Sequence, residues 1–267
     1  MTIIAVASAK GSPGASTFTE LLVGLWPAAA HPVLVDCDPA GGEWLLRPGV
    51  AAEPGLVTLA MAGRRELASG AALSHVQLVG TTPGLDILVA PAAARQSASA
   101  LEILGDRLGT HLRSLDDVDV IIDCGRLAQR SPALATVSAA DLVVLVSRPT
   151  VSEMVHLAPW VEQLVQEGRY VGVVLVGGQW RHSQVIYQPA EVAEALGVPV
   201  FGSIDHDPAA LGRLWSQPGS LAGLGRSRLV RSAQLTVSAV SAALADHAHP
   251  AVEPTVSDTS SEEAVTR

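Results

Sequence analysis

Lysine is almost absent from this chain. Of 17 basic residues among 267, Lys10 alone is a lysine and the rest are arginines. Aromatic residues make up only 3%, so a core has to be packed mostly by Ala, Val and Leu, for which an apolar content of 48% is ample. The only cysteines, Cys37 and Cys124, fit no zinc or Cys-x-x-Cys spacing, which excludes a disulfide framework or a cysteine metal cage and leaves buried packing. No stretch approaches the roughly 18 uncharged apolar residues of a membrane span, and no basic segment precedes a cleavable apolar run. A cytoplasmic location is therefore expected. A net charge of −9 argues against a broad electrostatic footprint for nucleic acid.

What is present gathers around the lone lysine. Lys10 stands in the loop Ala9-Lys10-Gly11-Ser12-Pro13-Gly14-Ala15-Ser16-Thr17, directly after the apolar run Ile3-Ile4-Ala5-Val6-Ala7. An ammonium kept in an otherwise arginine-only chain suggests a site that wants a compact charge on a flexible stem, and phosphate oxygens are the commonest such demand. Behind the loop, Phe18, Leu21, Leu22 and Leu25 recur at helical spacing until Pro27 stops the run. A strand, a glycine-bearing loop and a helix N-terminus together aim backbone N–H groups and a helix dipole at an anion. The same pattern alone also suits a plain tight strand-to-helix connection.

Acidic strand ends add to it. Val33-Leu34-Val35-Asp36-Cys37-Asp38-Pro39 is a short buried strand ending in two carboxylates, and Val118-Asp119-Val120-Ile121-Ile122-Asp123 is another ending in one. In a parallel sheet such carboxylates lie at the carboxyl edge, where α/β proteins bind ligands. Further strands are predicted near 84–90 and 170–176. Helices are predicted over about 99–115, over about 151–166 with Thr150 and Glu153 as a capping box, and over about 227–247. This alternation implies one α/β domain over 1–248, a doubly wound, mostly parallel sheet with helices on both faces. Residues 249–267 are rich in Pro, Ser, Thr and Glu without apolar periodicity, and are expected to be a disordered acidic tail.

The loop is not a standard Walker A sequence, because Ala9 replaces its first glycine and Ala15 its lysine. It resembles the deviant Walker A, K-G-G-x-G-K-[ST], of the MinD/ParA family of P-loop proteins, written here Lys10-Gly11-Ser12-Pro13-Gly14-Ala15-Ser16. Asp36-Cys37-Asp38-Pro39 is similar to that family's second acidic motif, Asp123 to its Walker B carboxylate, and residues 139–146 and 196–204 to its next core strand and its late strand. The resemblance spans roughly residues 1–247. It implies ATP with Mg²⁺ as ligands, Lys10 to Thr17 as the nucleotide loop, Ser16, Asp36 and Asp123 at the metal, Asp38 near an attacking water, and Lys10 reaching a partner's nucleotide in a nucleotide-dependent homodimer. It departs from the family at Ala15, where the in-loop lysine is lost, and at Gly177-Gly178, where a base-recognition asparagine is expected.

Arg126, three residues past Asp123, is expected at the surface or a dimer contact, with reach toward the phosphates as its other reading. Arg226, Arg228 and Arg231 form a local basic patch whose simpler reading is a solvated helix start, so non-specific DNA binding is not favoured. The membrane-binding terminal helix of MinD has no counterpart, so no direct membrane anchor is expected. Two functions follow from the resemblance. One is an ATP-binding switch with slow or lost hydrolysis that positions a chromosome, a division site or secretion machinery with a protein partner. The other is a non-enzymatic scaffold like the degenerate localisation factors of pilus or secretion assembly.

Overall fold

The computed structural model describes residues 1–27, 32–63, 70–80, 84–115, 117–177 and 186–248. The expected tail over 249–267 lies outside the described residues, as does Gly178. The strands are β1 (Ile3–Ser8), β2 (Val33–Asp36), β3 (Gln77–Val79), β4 (Leu85–Leu88), β5 (Val120–Arg126), β6 (Leu142–Ser147), β7 (Val171–Val176) and β8 (Val200–Ile204). The helices are α1 (Ala15–Gly24), α2 (Leu56–Ala62), α3 (Ala94–Leu104), α4 (Arg107–Arg113), α5 (Leu134–Ser138), α6 (Val151–Gln166), α7 (Pro189–Leu196), α8 (Pro208–Ser216) and α9 (Arg228–Ala248).

One eight-stranded sheet runs in the order β3-β4-β2-β5-β1-β6-β7-β8. All neighbours pair in parallel except the edge strand β3, which is antiparallel to β4. The reason lies in the unbroken apolar strands, which must be covered on both faces. Along β1, Ile3, Ala5 and Ala7 pack into one core with Leu56, Leu101, Leu108, Leu157 and Val161 from α2, α3, α4 and α6. Ile4 and Val6 point the other way, into a second core with Phe18, Leu21, Leu214, Val230 and Val237 from α1, α8 and α9. The strand period of two thus feeds two helical layers.

Three sequence expectations need correction. The run 99–115 is two helices, because Gly105 at φ 48 turns the chain between α3 and α4 while Leu101, Leu104, Leu108 and Leu112 all remain buried. The late strand begins at Val200; Leu196 ends α7, which Gly197 closes in the left-handed conformation. Finally β5 does not stop at Asp123 but continues to Arg126. Against β1, Val6 pairs with Asp123 and Ser8 with Arg126, so β5 carries one extra residue there, and Gly125 at φ 60 absorbs it.

Candidate functional site

β1 lies between β5 and β6, so the chain leaves it at the point where strand order reverses, the usual ligand crevice of an open α/β sheet. The loop there enters α1 through Gly14 at φ 111, and no side chain caps the helix. Its first-turn N–H groups therefore face a cavity of about 520 Å³. The cavity is lined by Gly11 to Thr17, with Ser8, Asp38, Glu43, Gly125 and Arg126 across from them. A second cavity of about 180 Å³ shares Ser12, Pro13, Gly14 and Thr17 and is walled by Phe18, Val176, Ile204 and His206. The loop thus separates a polar chamber from a smaller, more apolar one.

Asp36, the last residue of β2, pairs in register with Asp123 inside β5. Asp123 is 1% exposed and accepts from the Gly125 N–H at 3.1 Å and the Trp44 indole N–H at 3.3 Å, and the Ser16 side chain also favours its charged form. Burial raises its pKa, and those donors partly offset the rise. Asp36 is fully buried beneath the chamber and does not line it. Its carboxylate accepts from the N–H groups of Asp38 at 3.3 Å and Ala90 at 3.4 Å, and burial with the nearby Asp123 charge holds its pKa well above the usual carboxylate range. Asp38 faces the chamber beside Gly125. Burial, together with Asp123 and Glu43, pushes it up to about 6, against the opposing pull of the Ala40 N–H and Arg126.

Lys10 is not part of the chamber wall. Its ammonium donates to Ser152 Oγ at 3.0 Å, at the start of α6. Arg148 braces the loop from the same side, donating to the Ser12 carbonyl at 2.9 Å and pairing with Glu153 at 3.3 Å. Thr150 accepts from the Glu153 N–H, one half of the expected capping box, while the Glu153 carboxylate pairs with Arg148 instead. Ala15 is nearly buried, and its methyl group supplies no charge to the space ahead of the loop. Cys37 and Cys124 are free and buried, with burial raising both thiols. Arg226, Arg228 and Arg231 are exposed around the start of α9.

Several contributors escaped the sequence reading. Glu43 and Gly125 line the chamber, and Trp44 bonds Asp123 from below. For Gly125 the signal was a glycine just beyond a strand-end carboxylate; a Cβ there would collide with the Asp38 carboxylate. Glu43 and Trp44 carried no readable signal, because they follow the turn Ala40-Gly41-Gly42 in an irregular segment.

The fold is shared with solved structures. The cell division ATPase MinD of Pyrococcus furiosus superposes with a TM-score of 0.71 at 22% identity, over 91% of this chain and 99% of its own. A ParA family ATPase from Chlorobium tepidum gives 0.70 at 18% identity, over 90% and 97%. The septum site-determining protein MinD of Pyrococcus horikoshii, complexed with Mg-ADP, gives 0.64 at 20%, over 90% and 95%. The fold is that of the MinD/ParA ATPases. No protein-family model matches the chain. Uncharacterized proteins from two strains of Mycobacterium tuberculosis are each 33% identical over 220 residues, or 77% of this chain. The chain spans about half the length of these curated relatives, 55%. Among the described residues no helix is long and apolar enough to cross a membrane.

Proposed function

We propose that this chain is a MinD/ParA-like nucleotide switch that binds ATP with Mg²⁺ in the polar chamber, hydrolyses it slowly or not at all, and positions a cellular cargo through a homodimer and a protein partner. The observation that carries the proposal is the uncapped N-terminus of α1, which opens with Ser16 onto a polar chamber that Asp38 and Gly125 line, with Asp123 held by the Gly125 N–H. A hydroxyl and a carboxylate are hard oxygen donors, and Mg²⁺ is commonly held by one or two carboxylates plus phosphate and water rather than by an all-protein cage. When bound, the cation would neutralise phosphate charge beside Asp38, Glu43 and Asp123.

In this reading Gly11 to Thr17 hold the phosphates through backbone N–H groups, Ser16 and Asp123 hold the metal, and Asp36 supports Asp123 from beneath. Asp38 stands beside the chamber to orient water. Its pKa of about 6 leaves it mostly ionised at pH 7, able to accept a proton. The catalytic weakness lies at Ala15, because removing one well-placed electrostatic stabiliser typically costs on the order of 10²–10³ in rate. That same residue supports a second reading, a scaffold that keeps the fold and not the chemistry. Calorimetric titration with ATP, with and without Mg²⁺, separates the two. Mg²⁺-dependent binding that Ser16→Ala weakens at least about tenfold supports the switch, given the roughly 1.5–3 kcal/mol of a hydrogen bond to a charged group. No binding by the wild type leaves the scaffold.

A further inference from the structure

Among the described residues three cationic side chains border the loop, and two of them are engaged outside the chamber. Lys10 donates to Ser152 on α6, and Arg148 is held by the Ser12 carbonyl and Glu153. The third is Arg126. The extra residue in β5, with Gly125 at φ 60, sets Arg126 opposite Ser8 at the strand end, where it lines the same chamber as Ala15 and Ser16 and its charge acts on Asp38. Strand bulges beside ligand sites commonly re-aim a side chain in this way. Arg126 borders the larger cavity and not the smaller one behind the loop.

The charge balance of the chamber calls for such a group. Its wall carries Asp38 and Glu43, with Asp123 just below, so a triphosphate would meet carboxylates on the side facing the loop. From this placement we propose that Arg126 is the phosphate-binding cation of the site, filling from β5 the role for which Ala15 has no charge. A guanidinium presents two parallel N–H donors to a pair of phosphate oxygens, a geometry that an ammonium on the loop would not reproduce. Because Arg126 stands on the Asp38 side of the loop, away from the apolar cavity, it acts on the outer phosphates and not on the base. The assignment rests on the nucleotide reading of the chamber.

The test compares binding of a non-hydrolysable β,γ-imido ATP analogue and of AMP by calorimetry in Mg²⁺, for the wild type, Arg126→Ala, Arg126→Gln and Arg126→Ala/Ala15→Lys. Arg130→Ala serves as an exposed control, and thermal melting checks that each variant is folded. Arg126→Ala is expected to weaken the analogue by about 10- to 100-fold and AMP by less than about twofold, as for loss of a charged hydrogen bond to a terminal phosphate. Ala15→Lys in the same chain is expected to recover most of the loss. Should Arg126→Ala not fold, Arg126→Gln carries the same comparison. Wild-type binding of the analogue that Arg126→Ala or Arg126→Gln leaves unchanged, or equal losses for analogue and AMP, overturns the role of Arg126 and leaves the nucleotide site standing. A wild type that binds neither ligand overturns both.

Discussion

Arg47 shows how a single buried charge ties the site to its surroundings. It is 4% exposed and pairs with Glu20 of α1 at 2.7 Å. Its guanidinium also lies 5.0 Å from the Trp44 ring and 4.1 Å from the Trp215 ring, and donates to the Leu214 carbonyl at 3.2 Å. Trp44 in turn bonds Asp123, so α1, the segment after Asp38 and α8 meet on one guanidinium. Burial pushes Glu20 up to about 7, which the attraction of Arg47 and the Gly219 N–H only partly offset. Glu43 is the other charge acting on Arg47. Between the ordinary carboxylate value of 4.5 and about 7 the folded state holds a proton that the unfolded state has released. Glu20 therefore contributes stability at low pH that is lost as pH rises through 7. Arg47→Met removes the group that lowers Glu20 and is expected to cost about 3–5 kcal/mol at pH 8, where an unpartnered carboxylate stays buried. At pH 5.5 the carboxyl is largely neutral in both proteins, so the penalty is expected to shrink by up to about 1.4 kcal/mol, the one pH unit that separates pH 8 from the wild-type value of about 7. Urea denaturation at the two pH values measures this, and equal penalties would show that Glu20 does not titrate.

At the scale of elements, regular structure was legible where apolar periodicity was long, as in α6, α9 and the core strands. It failed where a glycine changed the chain's direction without interrupting that periodicity. Gly105 splits α3 from α4 while the buried leucines run on, and Gly125 lets β5 pass Asp123 instead of ending there. The edge strand β3 is three residues long, with Leu78 71% exposed, too short and too wet to show a strand pattern. The site divides the same way. The loop and its acidic strand ends were visible as motifs, whereas the direction of Lys10, the depth of Asp36 and the position of Arg126 depend on packing between distant segments. Gly125 offers a test of what the bulge does. Gly125→Ala meets both a left-handed backbone and the Asp38 carboxylate, while Gly168→Ala, at φ 73 with nothing within 4 Å, meets the backbone penalty alone. The second is expected to cost about 1–2 kcal/mol and the first clearly more, since Asp38 must also move. Equal costs in thermal or chemical denaturation would show that Asp38 is not held against Gly125.

On the scale of the whole molecule, the question is what Lys10 is for, because its ammonium lies outside its own chamber. It rests on Ser152, and Val151 and Val155 beside it on α6 are 47% and 64% exposed. A lysine on a flexible stem, next to exposed apolar side chains and bordering a phosphate-sized chamber, suits a contact made to a second copy whose nucleotide it would reach. The bond to Ser152 is a surface hydrogen bond worth about 0.5–1.5 kcal/mol, easily exchanged for a charge-assisted bond to phosphate. Lys10→Ala is therefore expected to remain folded and to abolish dimerisation driven by Mg²⁺ and a non-hydrolysable ATP analogue, while Ser152→Ala leaves dimerisation intact. Lys10→Arg is expected to restore little, because a planar fork is bulkier and differently hydrated than an ammonium. Size-exclusion chromatography with light scattering, with and without the analogue, reads the outcome. A wild type that stays monomeric in both conditions, or a Lys10→Ala variant that dimerises normally, removes the cross-subunit role. The one lysine of the chain would then be a brace between the loop and α6.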